Sequence, residues 1–500
     1  MIDDRTPVLV GTAQFVQRDV PPLDALDPVS MLGRVALGAA DDSGAGPKAL
    51  NTVDTLLMIP IAHWSPTNPL ELLSQRLGIS PARQYLVSSG GETGVANANR
   101  AAQWIARGEA RAVLLIGCNP WKTVERAAAQ GVELDWDAGG TCPPAHLGTM
   151  KPGWSSLEIR HGLDRPIVGY PMFENALRAG KGRSIPEHAS HVGDLMTRFT
   201  AVAAANPYAW FPTERSADEL VTVTPANRMV GFPYTKYLNA VIATDQAAAL
   251  IMMSAGAARE LGIPADRWVY WWGGHHADER AWYVSERPNF TECPAMQDSH
   301  TTALAHAGVG VDDIAFFDFY SCFPVAVEMA IDMLGLEEND ARGFTITGGL
   351  PYAGGPASAY TLHSLATMSD RLRRAPDEIA LITGNGFYLT KHAASVWSGR
   401  PKPVEPHGSL PQAGTQLERD PVRIDQSPSG GGRVEAYTVL HDARSEPVLG
   451  IVAGRTTAGD RFLANLPATP DVLASFTIAE GVGRTGRLHS HEGRNRFDPD

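Results

Sequence analysis

Short runs of apolar residues, separated by glycines and polar residues, predict alternating strands and helices in the first part of the chain. The first strand is predicted at Pro7–Gly11, a helix of small residues follows around Ser30–Ala40, and a second strand spans Val53–Ile59. A later strand is predicted at Ala112–Ile116. This order of elements is typical of an α/β unit.

A glycine-rich turn, Ser88–Gly94 (SSGGETG), precedes the most informative helix of this first unit. Apolar residues recur every three or four positions after it, at Val95, Ala98, Ala102 and Ile105. The helix is rich in alanine and has few large side chains, so we expect it to pack closely inside the protein.

The same order of elements returns in the second half of the chain. A helix and a strand (SHTTALAHAGVGVDDIAFFDFYS) lead to a second glycine-rich turn, a helix of small residues and a strand at Ile379–Thr383. An internal duplication of an α/β unit explains this repeat economically. The alternative is chance similarity between two ordinary α/β stretches.

Two further regions differ in character from these halves. The region 119–228 is rich in Trp, Pro, His and Gly and has weak periodicity, which indicates an inserted loop or cap region. The stretch PKPVEPHGSLPQAGTQ has the composition of a linker. Beyond it, strands are predicted at RVEAYTVLH, PVLGIVAGRT, RFLANL and SFTIAE. We therefore predict an N-terminal half at 1–118, an insert at 119–228, a second half at 229–400 and a five- or six-stranded β-barrel at 413–500.

Composition limits the classes of function. Lys plus Arg number 42 and Asp plus Glu 55, giving a formal net charge of −13. This acidic balance argues against nucleic acid as a partner, because phosphate binding needs clustered basic residues. The four cysteines (Cys118, Cys142, Cys293 and Cys322) are widely spaced, so neither a disulfide scaffold nor a zinc cluster is predicted.

We predict neither a targeting segment nor a membrane span from the sequence. Its first residues, MIDDR, are acidic and run directly into a strand, and no apolar run reaches the roughly 18 residues needed to span a bilayer. We expect a cytoplasmic protein.

The first glycine turn resembles the nucleophile region of thiolases. In that family a Cys, two small residues and a Gly open a helix that ends I-x-x-G. Counting back from Ile105 and Gly108 places Gly91 where thiolases carry the Cys, with Thr93 and Gly94 matching the end of the pattern. Gly91 cannot be acylated, and a one-residue slip offers only Gly90 or Glu92.

The second half resembles the sterol-carrier-protein (SCP2) class of thiolases. Its HDCF pattern corresponds to Tyr320-Ser321-Cys322-Phe323 in this chain, so Cys and Phe match while Tyr and Ser replace His and Asp. The G-H-P-x-G pattern corresponds to 354–358 (GGPAS), in which Gly355 replaces the His that activates the nucleophile. The final loop, 383–386 (TGNG), lacks the thiolase Cys.

Together these patterns cover about residues 5–400 and resemble the type 1 thiolase-like proteins, which carry an additional C-terminal β-barrel. The barrel region is similar to OB-fold domains associated with acyl-CoA enzymes, with Gly459-Asp460-Arg461-Phe462 at one turn. The resemblance implies a duplicated thiolase fold, with central buried helices and two mixed sheets. It also implies monomeric members, although thiolases are usually dimers or tetramers.

The resemblance also implies the candidate site. Tyr320 and Cys322 are the candidate catalytic residues: the Tyr320 hydroxyl would donate to an oxyanion and Cys322 would transfer a proton. The alternative is that both are buried residues at a strand end with satisfied hydrogen bonds. The candidate residues for binding a CoA thioester are Gly91, Thr93, Gly94, Gly354, Gly355, Ser358, Gly384, Asn385, Gly386 and His392. For the glycines among them, the alternative role is close packing of the two central helices.

Other histidines give weaker signals. His188 and His191 lie three residues apart and can share a helix face, but no third ligand lies at a sensible spacing, so no metal site is predicted. His275 and His276 follow two glycines in a predicted loop and receive no functional assignment. Lys391, beside His392, would face the cleft or a phosphate group.

Three functional hypotheses remain open. The first is an acyl-CoA-binding protein of lipid metabolism, which the resemblance would class with acetyl-CoA acetyltransferases and other acyltransferases, but without thiolysis because the nucleophile is missing. The second is a non-covalent retro-aldolase or condensation enzyme that uses Tyr320, as some Cys-lacking relatives do with an OB-fold partner. The third is a non-catalytic CoA-ester binder, or a subunit of a complex with another lipid-metabolism protein. Coenzyme A enters as part of the substrate, and no tightly bound cofactor is expected.

Overall fold

The computed structural model describes residues 2–402, 414–417 and 420–500. The strands are β1 (Pro7–Val16), β2 (Thr55–Met58), β3 (Arg83–Val87), β4 (Ala112–Pro120), β5 (Ala145–Leu147), β6 (Met229–Gly231), β7 (Tyr234–Thr235), β8 (Asp245–Ser254), β9 (Val269–Asp278), β10 (Phe316–Asp318), β11 (Ile379–Gly386), β12 (Lys391–Ser398), β13 (Thr415–Gln416), β14 (Gly430–His441), β15 (Pro447–Thr456), β16 (Arg461–Asn465), β17 (Thr485–His491) and β18 (Arg494–Pro499). The α-helices are α1 (Pro28–Asp42), α2 (Pro47–Asn51), α3 (Pro69–Leu77), α4 (Thr93–Arg107), α5 (Trp121–Gln130), α6 (Ser156–Arg160), α7 (Pro166–Gly180), α8 (Ile185–Ala205), α9 (Ala217–Val221), α10 (Ala255–Glu260), α11 (Pro294–Ala307), α12 (Pro324–Leu334), α13 (Tyr360–Arg374) and α14 (Pro470–Ile478). The predicted linker falls mostly on 403–413, outside the described residues.

The large sheet has the internal repeat that the sequence predicts. Its N-terminal half runs β1-β8-β4-β2 and its C-terminal half runs β9-β12-β11-β10. In each half the first two pairings are antiparallel and the third is parallel. Equivalent strands therefore occupy equivalent places, which supports the duplication.

The two predicted sheets are joined into one. β1 and β9 pair at two positions, Val8 with Tyr270 and Leu9 with Val269, and this contact makes the two halves a single mixed sheet of eleven strands. Two adjacent edge strands with unpaired N–H and C=O groups favour such pairing. The expectation of two separate sheets is corrected on this point.

Helices α4 and α13 are the central buried helices. Ten of the fifteen residues of α4 are buried, among them the predicted apolar positions Val95, Ala98 and Ile105. Gly108, in the left-handed conformation, ends the helix, as an αL cap does. A Cβ on Gly94 would lie 2.5 Å from the Thr361 hydroxyl of α13, so only glycine permits this approach of the two helices.

The insert is mainly helical, whereas its weak periodicity indicated loops. Helix α7 is buried at every position from Val168 to Arg178 and contains Pro171, so it has no polar stripe for a periodicity test to detect. Helix α8 begins with a clear capping box, in which Ser184 and Glu187 exchange hydrogen bonds. Complete burial of α7 accounts for the difference.

The C-terminal domain is a closed five-stranded barrel, as predicted. The strands follow the order β15-β16-β18-β17-β14, and β14 pairs back with β15 to close it. The strand predicted at SFTIAE is wrong: those residues end helix α14, which Pro470 begins and which buries Leu473 and Phe476 against the barrel core. Two short strands before β8, β6 and β7, extend the β14 edge of the barrel.

An ion pair between a buried arginine and an exposed glutamate fastens the barrel to the insert. The Arg178 guanidinium on α7 donates to both carboxylate oxygens of Glu480, at 2.7 and 2.8 Å. The Arg178 side chain is 2% exposed and that of Glu480 is 41% exposed. Asn175, one turn earlier, donates to the carbonyls of Phe232 and Tyr437. The barrel is thus docked on a helix of the insert. Among the described helices, none is long and apolar enough to cross a membrane.

We expect Glu480→Gln to weaken this docking. The substitution leaves the Arg178 charge buried without its anionic partner, which should lower the free energy of unfolding by about 2 kcal/mol. Urea unfolding followed by tryptophan fluorescence measures the change. Glu446→Gln, at an exposed position of the barrel, is the control and should change it by less than about 0.5 kcal/mol. Equal stabilities of the two variants would contradict a role for the pair in docking.

Candidate active site

The first turn of α4 lies at the centre of the site. The Thr93 hydroxyl donates to the Ser88 carbonyl at 3.0 Å and closes the glycine turn, while the Gly90 N–H donates to the Ser358 hydroxyl at 3.0 Å. Thr361 of α13 donates to the Gly91 carbonyl at 3.2 Å. The N–H groups of a helix's first turn and its dipole favour a negative charge or a carbonyl oxygen at this end.

Tyr320 fills the position that a nucleophile's side chain would take. A Cβ built on Gly91 would overlap the Tyr320 hydroxyl and the Asn385 carbonyl oxygen. The site therefore lacks the cysteine and also lacks room for one, because the space for the first atom of any side chain at position 91 is already occupied.

The Tyr320 hydroxyl is held in its neutral form. Burial raises its pKa well above the ordinary value, and neighbouring acidic groups, including Glu92, raise it further. Tyr320 is half-buried, and its N–H donates to Thr383 at 2.9 Å. Its hydroxyl has no hydrogen-bond partner among the residues described. It is therefore a donor with its hydrogen free for a ligand.

Cys322 lies in a polar network that the insert completes. Asn385 donates to the Tyr170 hydroxyl at 2.9 Å and lies 3.9 Å from the Cys322 sulfur, and the Tyr170 ring stacks on Phe323 at 4.5 Å. Burial raises the pKa of the Cys322 thiol to about 12. The thiol is therefore protonated at neutral pH, and Cys322 is a weak nucleophile there.

A buried ion pair closes the other side of the α4 turn. The Lys391 ammonium lies 2.5 Å from the Glu92 carboxylate and donates to the Ser89 carbonyl at 2.7 Å. Burial and the Glu92 charge raise the pKa of nearby Asp278 to about 6, against the opposing effect of Lys391. Lys391 is thus engaged inside the protein, and the Glu92 charge is neutralised by it.

The glycines of the final loop make room for Glu92. A Cβ on Gly384 would lie 2.5 Å from the Glu92 Cα, and one on Gly386 would overlap its carboxylate. In the loop that matches G-H-P-x-G, Gly354 has φ +100°, and a Cβ there would overlap the Gln246 side chain. A Cβ on Gly355 would meet only the Val241 carbonyl at 3.3 Å and Leu350 at 3.4 Å, so a side chain is better tolerated there.

The structure brings most of the predicted site residues together. The residues that surround the first turn of α4, or that contact residues around it, are Gly91, Thr93, Gly94, Ser358, Gly384, Asn385, Gly386, Tyr320 and Cys322. His392 is different: its ring is 1% exposed and lies 3.1 Å from the sulfur of Cys293, in a fully buried contact. Burial lowers the pKa of His392 to about 3, so its imidazole is neutral.

Two residues of this site were missed by the sequence reasoning. Tyr170 reaches the site from the insert, where no periodic pattern marked it. Glu92 is adjacent to Gly91, and a buried acid in a turn of small residues was an available signal. Within the described residues, the one group of three potential metal ligands is Glu174, His188 and Glu328, which involves none of these side chains.

Comparison with known proteins identifies both parts of the chain. The family described as the thiolase-like protein type 1 additional C-terminal domain matches residues 414–493. A crystal structure of a monomeric SCP2-thiolase-like protein type 1 from Mycobacterium smegmatis is 31% identical, covers 99% of each chain and has a TM-score of 0.83. A search of curated proteins gave no match.

More distant structures share the fold alone. An Ltp2-ChsH2(DUF35) aldolase is 17% identical, with a TM-score of 0.59 over 79% of this chain and 97% of that one. An acetyl-CoA acetyltransferase from Syntrophomonas wolfei is 15% identical, with a TM-score of 0.57 over 80% of this chain and 100% of that one.

Gly91→Ala should destabilise the protein, because the new methyl group overlaps Tyr320 and the Asn385 carbonyl. Overpacking of this kind costs about 1–3 kcal/mol of unfolding free energy, which urea titration measures. Gly355→Ala is the matched control and should cost less than about 1 kcal/mol. In the Tyr320→Ala background, Gly91→Ala should cost less unfolding free energy than it does in the native protein. An equal cost in the two backgrounds would contradict the proposed overlap with the tyrosine.

The four thiols should differ sharply in reactivity. Cys142 is exposed, while Cys118, Cys293 and Cys322 are buried and all four are free. A chromogenic disulfide reagent at pH 8 should therefore label one thiol per folded chain quickly and four after denaturation. Cys142→Ser should abolish the fast phase. Rapid labelling of Cys322 in the folded protein would contradict its neutral, buried state.

Proposed function

This chain belongs to the type 1 family of SCP2-thiolase-like proteins, and from this premise we propose that it binds an acyl-CoA thioester without covalent bond formation and performs no thiolysis. One observation carries the proposal: the Tyr320 hydroxyl occupies the volume of a side chain at position 91. The CoA ester and the role in lipid metabolism are inferred from the family resemblance.

The absence of a competent nucleophile supports the negative part of the proposal. Thiolysis by covalent catalysis needs an ionisable thiol at the α4 turn, with a base to activate it. Position 91 is a glycine, Gly355 replaces the activating His, and the Cys322 thiol is neutral with its pKa near 12. None of these groups can form an acyl-enzyme intermediate.

The donors at the turn support the positive part. A thioester carbonyl placed beside the first turn of α4 would meet the positive end of the helix and the unpartnered hydroxyl of Tyr320. The hydroxyl stays protonated because its pKa is raised, so its hydrogen can be donated to a carbonyl oxygen. A neutral donor in a partly dry site binds a carbonyl oxygen more strongly than it would in water.

Retro-aldol cleavage or condensation of a CoA thioester is the second candidate. The observation that favours it is the same hydroxyl, which would stabilise an enolate oxygen during either reaction. An aldolase is among the solved structures with this fold. The reaction also needs a base, and Glu92, the acid adjacent to Gly91, is already paired with Lys391. A binding role therefore ranks first, and a non-catalytic subunit of a complex is compatible with it.

We expect calorimetry with acetoacetyl-CoA to show binding to the native protein, and chromatography after added CoA to show no acetyl-CoA. Tyr320→Phe should weaken binding about tenfold, through loss of one hydrogen bond. Tyr270→Phe, a buried tyrosine on β9, is the control and should bind as the native protein does.

The results of these measurements distinguish the binding role from the aldolase. Robust formation of acetyl-CoA, or binding that Tyr320→Phe leaves unchanged, would overturn the proposal. Cleavage of a β-hydroxyacyl-CoA that Tyr320→Phe abolishes would instead establish the aldolase, and full activity of that variant would rule it out.

A further inference from the structure

Three buried side chains from distant parts of the chain meet beside the site. Glu174 lies on α7, His188 on α8 and Glu328 on α12, and one potential ligand atom from each lies within 4.8 Å of the others. The His188 Nε2 is 2.5 Å from a Glu174 oxygen. All three residues are at most 1% exposed.

Neighbouring groups hold each carboxylate in place. The Tyr234 hydroxyl donates to one oxygen of Glu174. The His191 Nε2 lies 3.0 Å from Glu328 Oε1, and the guanidinium of Arg183 lies 3.5 Å from the same oxygen. Partners of this kind orient the ligands of metal sites and are as typical of them as the ligands themselves.

The second oxygen of Glu328 is the feature that points to a ligand. Glu328 Oε2 is buried and receives no hydrogen bond from an N–H group or a hydroxyl of the residues described, while the Glu174 carboxyl lies within hydrogen-bond reach of Glu328. An ionised carboxylate oxygen buried without a partner is costly, and the neighbouring charge of Glu174 adds to the cost. Arg183 is also shared with Glu338, at 2.7 Å, so it neutralises Glu328 only in part.

We propose that Glu174, His188 and Glu328 bind one divalent transition-metal ion, for which zinc is the best match. The donors are one imidazole nitrogen and two carboxylate oxygens, a set that zinc accepts in proteins. The two carboxylates carry a charge of −2 when ionised, which a divalent cation neutralises.

The place of the cluster gives the metal a structural role. Tyr170 lies one turn before Glu174 on α7, on the same face, and Glu328 lies on the helix that begins just after Phe323. The ion would therefore fasten the helix that carries Tyr170 to the helix that follows Cys322. The insert would then be held against the site, whichever ligand the site binds.

Metal analysis of the untagged native protein tests this proposal. The protein is unfolded in urea with a chelator, refolded with or without zinc chloride, and freed of loose metal by gel filtration, since a buried site fills during folding. We expect one zinc per chain and a higher melting temperature for the sample refolded with zinc.

Glu328→Gln and Glu158→Gln are a matched pair, because both remove a fully buried carboxylate but only the first removes a proposed ligand. Zinc affinity should fall at least tenfold for Glu328→Gln and stay unchanged for Glu158→Gln. If Glu328→Gln does not fold, visible absorption of the cobalt-loaded native protein reports the ligand set directly. Less than a tenth of an equivalent of zinc in the native protein, or an unchanged zinc affinity in Glu328→Gln, would overturn the proposal. A proton shared by the Glu174 and Glu328 carboxylates would then hold these two side chains together.

Discussion

The two halves of the thiolase-like fold meet where the first turn of α4 packs against the C-terminal end of β11. That contact is possible only with glycine at several positions, since a Cβ on Gly384 or Gly386 would strike Glu92 and one on Gly91 would strike Tyr320. The fold thus brings backbone segments from both halves close together at a helix N-terminus, where the candidate site lies. Here the approach is so close that one tyrosine hydroxyl takes the place of the reactive side chain.

The groups around that turn are consistent with binding rather than covalent catalysis. Burial keeps Tyr320 and Cys322 protonated, and the Glu92 carboxylate is neutralised by Lys391. A site of neutral donors at the positive end of a helix can hold a carbonyl oxygen, but Cys322 supplies it with no thiolate. The additional barrel docks on the insert through Arg178, and the same helix supplies Tyr170 to the network around Cys322.

Much of the fold could be predicted from the sequence, because short apolar runs and glycine turns are local signals. The duplicated unit, the small-residue helix at 93–107 and the barrel were all predicted. The helices of the insert were not predicted, because α7 is buried on every side and has no polar stripe. Helix α14 was taken for a strand because Ser475-Phe476-Thr477-Ile478 alternates polar and apolar residues, the period of a strand.

The candidate site was predictable wherever a local pattern marked it, as with Gly91, Tyr320 and Asn385. Contacts between distant segments were not predictable. Tyr170 lies 215 residues from Asn385, and Glu328 lies 137 residues from His191. The spacing of His188 and His191 predicted no metal site, because Glu174 and Glu328, the carboxylates beside His188, lie on other helices. Pairings set by tertiary packing leave no periodic trace in one sequence.

A crystal structure with a soaked, uncleaved acyl-CoA tests the central claim most directly. We predict an intact thioester whose carbonyl oxygen lies about 2.7 Å from the Tyr320 hydroxyl, the usual length of such a hydrogen bond. Density continuous between the acyl group and a protein side chain, or a ligand bound with its carbonyl away from Tyr320, would contradict it.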